Sequence, residues 1–295
     1  GNQLAETVRR MDGKGYRTYK DIRGSYSFGD FELHIEHVQG DPFAEPTRVS
    51  VTIASDVAGL PPLAIHDSAT RRASADFLNR QFCKVLAAHS TRSGSGKSGL
   101  IQMLEPGQQV LERTSLQVKA NGEVHARFLV GLPANGRRIA GRAAQVLLTE
   151  SLVDCVREAL VQGAWDIKLL QAHCEAVQDS VALREALKAQ GLIAFVADGA
   201  CLPRRSGADD RPASKAAVLF DSPQSLRVTL DTVHSGKVSG MGIAQGVTLI
   251  VGGGYHGKST LLRAIERGHL DHIPGDGRER VVATEDAVKI RAEDG

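Results

Sequence analysis

At 295 residues, 42% apolar and 24% charged, the chain has the make-up of a globular protein with room for two domains, or for one large α/β unit with an appendage. A net charge of +2 argues by itself for neither nucleic acid nor a membrane surface. No apolar run reaches transmembrane length, and the polar start does not read as a signal peptide. Cys83, Cys155, Cys174 and Cys201 are widely spaced and form no C-x-x-C pair, so they indicate neither a zinc site nor a disulfide framework; a reducing cytoplasmic setting is expected.

The chain opens with a short helical piece around Leu4–Met11 and a turn-rich stretch at Asp12–Tyr16. Phe31, Leu33 and Ile35 alternate with Glu32, His34 and Glu36, and Val49, Val51 and Ile53 repeat that period-2 pattern after two prolines, which predicts two paired strands. From about Ser74 the apolar residues Leu78, Phe82 and Val85 fall three or four apart, predicting an amphipathic helix to His89 with Ser74 as its cap. The helix ends in Ser90-Thr91-Arg92-Ser93-Gly94-Ser95-Gly96-Lys97-Ser98-Gly99, which contains G-K-S. The first glycine of a phosphate loop would have to stand at Thr91, and no apolar strand leads in, so a flexible basic loop is expected, with phosphate contact a lesser reading.

Leu116–Ala120 and Val124–Phe128 flank Asn121-Gly122-Glu123, a strong hairpin signal. Residues 76–150 carry ten Lys/Arg against five Asp/Glu, and Arg137, Arg138 and Arg142 follow the hairpin closely. A basic surface of this kind meets RNA, DNA or another polyanion, or is simply solvated; no RRM, KH or zinc-finger signature accompanies it. Two helices are expected next, over 146–161 and from about Asp166 to Ala189, the second stopping at Gly191. His173 and Cys174 are neighbours on that helix and point to different faces, which favours packing over a catalytic pair. Ile193–Ala197 reads as a buried strand, followed by a long charged loop, 198–212, holding Asp209 and Asp210. Leu226–Leu230 alternates as a further strand, and Ser239–Ile243 is punctuated by glycines.

The sharpest motif comes last. Gly252-Gly253-Gly254-Tyr255-His256-Gly257-Lys258-Ser259-Thr260 fits G-x-x-x-x-G-K-[ST] at every constrained position. Val247–Val251 is predicted to be a short buried strand ahead of it, and Leu261, Leu262 and Ile265 a helical stripe behind it. In a strand–loop–helix arrangement, backbone N–H groups from Gly253 to Lys258 would wrap a phosphate at the positive end of a new helix. Lys258 would reach the β- and γ-phosphates of ATP, Ser259 would hold Mg²⁺ and Thr260 would add a contact.

The run from Gly240 to Leu262 with its Tyr255-His256 variant, the tail His272-Ile273-Pro274-Gly275-Asp276-Gly277-Arg278-Glu279 and Ile290–Gly295, and Tyr19–Gly24 with His37–Pro42 near the start resemble the family described as predicted ATPases of the ABC class. The resemblance implies an α/β protein: a family-specific α+β N-terminal domain over 1–215, with a further division near residue 72 open, then the first part of an ABC-type core over 216–295. It implies an ATP-binding, ATP-hydrolysing protein that works through paired cores, so a homodimer is expected; because no stretch of the sequence spans a membrane, a role other than transport is expected. Yet 37 residues follow Lys258, with no glutamine for a Q-loop, no signature segment and no apolar run ending in Asp-Glu. The expectation is therefore an N-terminal portion cut inside its ATPase core, able to bind but not to hydrolyse alone. The alternatives are an RNA-binding protein with a regulatory nucleotide fold, using Arg92, Lys97, Arg137, Arg138 and Arg142, and a small-molecule kinase with the same loop.

Overall fold

The computed structural model describes residues 1–214 and 216–292. The chain forms two compact units, Gly1–Pro106 with Glu112–Leu170, and Gly107–Leu111 with the chain from Gln171 onward. Residue 215, where the sequence suggests a boundary, lies outside the described residues, as do Glu293, Asp294 and Gly295.

The first unit begins with α1 (Asn2–Arg9) and builds an antiparallel sheet from β1 (Gly24–Ser27), β2 (Glu32–His37) and β3 (Thr47–Ile53). The predicted strand pair is present, with Leu33 opposite Val51 and Ile35 opposite Val49, all four buried. Two short turns, α2 (Ser55–Ala58) and α3 (Pro62–Ile65), lead to α4 (Ser68–His89). This helix starts two turns earlier than expected. Its cap is Asp67, whose carboxylate accepts the Thr70 N–H at 2.8 Å while the Asp67 N–H donates to the Thr70 hydroxyl at 2.9 Å. Ser74, anticipated as the cap, lies inside the helix and donates to the Ala64 carbonyl at 2.7 Å.

The chain then passes through β4 (Ile101–Gln102), β5 (Gln109–Val110, in the second unit), β6 (Leu116–Val118) and β7 (Val124–Val130). The predicted hairpin joins β6 to β7, with Gly122 at φ +88° and the Glu123 N–H on the Asn121 side chain. The sheet runs β1-β2-β3-β7-β4, with β6 also on β7. Its inward residues Val49, Val51, Ala126 and Phe128 alternate with outward polar ones, and Phe82 of α4 meets Phe128 edge-on at 5.3 Å. The small hairpin β8 (Ala134–Asn135) and β9 (Arg138–Ile139) precedes α5 (Gly141–Val146), a π-helical turn (Leu147–Ser151) and α6 (Leu152–Ala159). Leu148, Leu152, Cys155, Val156, Ala159 and Leu160 form an apolar stripe along the helix predicted over 146–161, and all six are buried.

The helix α7 (Ile167–Ala189), in the second unit from Gln171 onward, ends at Gly191, φ +65°, as the sequence indicates. His173 and Cys174 are both buried in it. β10 (Leu192–Ala197), β11 (Arg227–Asp231), β12 (Lys237–Ala244) and, beyond α8 (Lys258–Glu266) and β13 (Asp271–His272), β14 (Val281–Ala283) give an antiparallel sheet ordered β11-β12-β10-β14. Leu183 and Leu187 of α7 pack with Phe195, Ala197 and Val282 on one face; Ala264, Leu261 and Ile265 of α8 pack with Ala194, Val196, Val281 and Ala283 on the other. The period-2 alternation of β10 thus feeds two cores. The glycines of β12 serve this packing: a Cβ on Gly240 would stand 2.3 Å from the Val196 carbonyl oxygen.

One expected strand is not there. Val247–Val251 is neither paired nor buried: Val247, Leu249 and Val251 are 103%, 82% and 75% exposed. A buried strand needs neighbours along both edges, and the sheet of this unit closes through β10, β12 and β14 without it.

Candidate functional site

The loop Gly252–Gly257 leads from this extended segment into α8, and its location follows from how α8 is seated. Ala264 is buried and Leu261 and Ile265 pack against the sheet, so the helix axis is fixed by its apolar stripe; Leu262 points outward. Gly257 occupies the N-cap position in the left-handed conformation, φ +82°, and no side chain caps the helix. Lys258, Ser259 and Thr260 form the first turn, whose N–H groups have no intrahelical acceptor. Leu261 N–H closes the first helical bond onto the Gly257 carbonyl at 2.9 Å.

Lys258 folds back over the loop. Its ammonium donates to the Gly252 carbonyl at 2.6 Å and also to the Gly253 carbonyl. Among the described residues no carboxylate lies within ion-pair distance of it, so a full positive charge sits beside the positive end of a helix dipole. The glycines leave room for this arrangement: a Cβ on Gly253 would approach the His256 imidazole to 3.0 Å, and one on Gly252 would touch the Lys258 stem at 3.5 Å. Tyr255 is the only non-glycine residue with positive φ among those described, +61°, and its side chain is fully exposed. Gly252, Gly253, Gly254, Tyr255, His256, Gly257 and Ser259 all face solvent, with Lys258 and Thr260 half-buried. The nine residues singled out by the motif are therefore brought together on one accessible surface.

Behind α8 lies a charged network that residue spacing did not reveal. Asp276 is completely buried and accepts from Arg204 at 2.7 Å. His272 Nδ1 stands 3.0 Å from the same carboxylate without the alignment of a hydrogen bond, while Nε2 contacts the carbonyl of Arg267 at the foot of α8. Arg278 spends its guanidinium on the Leu202 carbonyl, and burial together with Arg204 pulls its pKa down to about 10. Arg184 of α7 binds Asp271 at 3.0 Å. The signal lay in Asp276-Gly277-Arg278, charged residues around a glycine whose Cβ would meet Cys201 at 2.6 Å. Of the two acids flagged in the long loop, Asp209 pairs with Arg211 and Asp210 accepts from Gln109 at 2.9 Å; among the described residues no His/Cys/Asp/Glu group is arranged to hold a metal.

The other G-K-S stretch is a packed loop in the first unit and not the flexible one expected. Ser95 N–H donates to Ala134 O at 2.9 Å, Lys97 N–H to Pro42 O at 2.9 Å and Gly99 N–H to Gly131 O at 2.8 Å. The Ser98 hydroxyl donates to Ser95 O and accepts from Ala134 N–H. Of the basic residues, Lys97 faces Glu45 at 3.6 Å, Arg137 faces Asp41 at 3.4 Å and Arg138 donates to the Gly13 carbonyl, while Arg92 and Arg142 are exposed. No helix among the described residues is long and apolar enough to cross a membrane.

Comparison with known proteins agrees with this geometry. Residues 1–163 match the family described as ATPase of the ABC class N-terminal, and residues 166–295 match the P-loop domain of the same ATPases. An uncharacterized protein of Methanocaldococcus jannaschii is 31% identical over 131 residues, which are 42% of this chain and 29% of that protein. The chain thus spans less than a third of the curated relative it matches. Matched along both units, the chain belongs to the family of ABC-class P-loop ATPases.

Proposed function

We propose that the chain binds the triphosphate of ATP at Gly252–Thr260 and that the whole protein hydrolyses it. The observation that carries this reading is Lys258: an ammonium with no carboxylate partner among the described residues, folded onto loop carbonyls next to an uncapped helix start. Both features are satisfied together by a polyanion, which would draw Lys258 off Gly252 O and Gly253 O and accept from the first-turn N–H groups. The residues fit the nucleotide. Lys258 would neutralise the β- and γ-phosphates, and the exposed Ser259 hydroxyl offers a hard oxygen for Mg²⁺ shared with the phosphates, whose charge the ion would offset.

Hydrolysis asks for more than a cradle. A positioned nucleophile and a second carboxylate or amide near Mg²⁺ are required, and among the described residues no His/Cys/Asp/Glu group is arranged to hold a metal. The reading assigns those groups, and a paired second copy that completes the site, to the whole protein. Mg-ATP titration into this chain tests the cradle: saturable binding is expected, weakened about 100-fold by Lys258→Ala, the worth of a charge-assisted contact of about 2.7 kcal/mol. Equal affinity in the variant would sink it. Turnover is tested separately with the whole protein. The basic residues carry no second reading, since three of the five are engaged with chain groups.

A further inference from the structure

The phosphate-loop pattern constrains Gly252, Gly257, Lys258 and Ser259 and leaves position 256 open, where this chain carries a histidine. The backbone decides where that histidine goes. Tyr255, φ +61°, and Gly257, φ +82°, are both left-handed, so the chain turns on either side of His256 and carries it back toward the start of its own loop. The imidazole lies against Gly253: a Cβ there would stand 3.0 Å from Cε1, 3.3 Å from Nδ1 and 3.6 Å from Nε2. Only a glycine at 253 leaves that place open.

Lys258 is folded onto the same glycines. A Cβ on Gly252 would meet the Lys258 stem at 3.5 Å and the His256 Cβ at 3.8 Å, and the ammonium ends on the Gly252 and Gly253 carbonyls. A permanent cation and an ionisable imidazole therefore share one short segment of backbone. His256 is exposed, and among the described residues no hydrogen bond and no carboxylate within ion-pair distance reaches it. Its charged or titratable neighbours are the Lys258 ammonium, from the first turn of α8, and the adjoining exposed phenol of Tyr255, from the loop.

An anion that draws Lys258 off those carbonyls is seated beside the imidazole. A neutral imidazole offers it one N–H donor, and an imidazolium offers a charge-assisted one, roughly twice as strong. Given the reading of Gly252–Thr260 as a triphosphate site, we infer that His256 is a second phosphate-binding side chain of this loop, and that its protonation sets how tightly the loop holds a nucleoside triphosphate. The sign follows from linkage. The anion favours the imidazolium, so the added affinity is complete where the free loop is protonated and falls away as pH rises.

The test titrates Mg-ATP into the 295-residue chain at about pH 5.5 and about pH 8, which bracket the range where histidines change charge. Each variant is compared with the parent at the same pH, so protonation of the nucleotide itself cancels. His256→Ala should lose about thirtyfold at the lower pH and about threefold at the higher, the difference between a charged and a neutral donor. His256→Gln, a neutral donor, should bind about threefold better than His256→Ala at both. His256→Arg, charged throughout, should exceed the parent at pH 8 about tenfold, a gain that an imidazole acting as a mere spacer would not give. Equal losses for His256→Ala at the two pH values, or a His256→Arg chain no tighter than His256→Ala at pH 8, would overturn the role of His256 and leave the triphosphate site standing. Absence of saturable binding by the parent at both pH values would overturn the site itself, and the role of His256 with it.

Discussion

Two loops in this molecule carry Gly-Lys-Ser, and they have opposite fates. In Ser93–Gly99 the backbone donors of Ser95, Lys97 and Gly99 are spent on carbonyls of neighbouring segments, and Lys97 faces Glu45. A Cβ on Gly99 would stand 1.9 Å from the Thr91 carbonyl oxygen, so that loop is closed upon itself. In Gly252–Ser259 the glycines meet only side chains of the loop itself: added Cβ atoms on Gly252 and Gly253 would touch Lys258 and His256, and those on Gly254 and Gly257 would have no neighbour within 4 Å. The lysine is held only by carbonyls that an anion could outbid. What distinguishes a phosphate cradle is therefore donors left unspent at the start of a helix, and glycine content alone does not provide them.

The largest effect expected on this contrast comes from the far end of the helix that carries the open loop. Asp276→Ala strips a buried carboxylate from Arg204 and His272, and should cost about 3–5 kcal/mol in urea unfolding, because the partner cation is left buried and unpaired. A loss below about 1 kcal/mol would show that the helix bearing the loop is seated by its apolar stripe alone. Next, Gly99→Ala is expected to destabilise by about 3 kcal/mol, through its φ of +77° and the clash with Thr91, whereas Gly254→Ala should stay within about 0.5 kcal/mol. Similar values for the two would erase the distinction between a packed and an open loop.

In ATP binding the order reverses. Lys258→Ala should lose about 100-fold and Lys97→Ala less than about twofold, measured by calorimetric titration of Mg-ATP. Comparable losses would return the first loop to the nucleotide site. The smallest effect is Tyr255→Gly, which relieves a left-handed non-glycine residue with a solvent-exposed ring and should raise stability by about 1 kcal/mol. A destabilised variant would mean that Tyr255 makes a contact in solution that offsets its backbone conformation.

Much of the architecture was legible. β2, β3, β7 and β11 alternate because each has one wet face, and the helix stripe through Leu148, Cys155 and Val156 is uninterrupted by its π-helical turn. The start of α4 was misplaced because Asp67 and Thr70 form the capping box ahead of the first strong apolar repeat; the Asp-x-x-Thr spacing was the available signal. Val247–Val251 read as a buried strand because its composition is that of one, and composition records the environment a segment is suited to, not the neighbours it has. The loop at Gly252–Thr260 was found from local pattern alone, while Arg204, Asp276 and Arg278 were not assembled, since 72 residues separate the Arg204–Asp276 pair.

What the sequence determined by itself is local: the periods of strands and helices, the glycines that admit positive φ in the Gly257 cap and the Gly191 stop, and the Gly-Lys-Ser-Thr run at a helix start. These depend on backbone sterics and on contacts within a few residues, which any reading of the chain can follow. The tertiary structure alone decided which of two similar loops keeps its donors free and which charges are buried together. Those outcomes depend on burial and on hydrogen-bond partners supplied from distant segments, and distance along the chain carries no record of them.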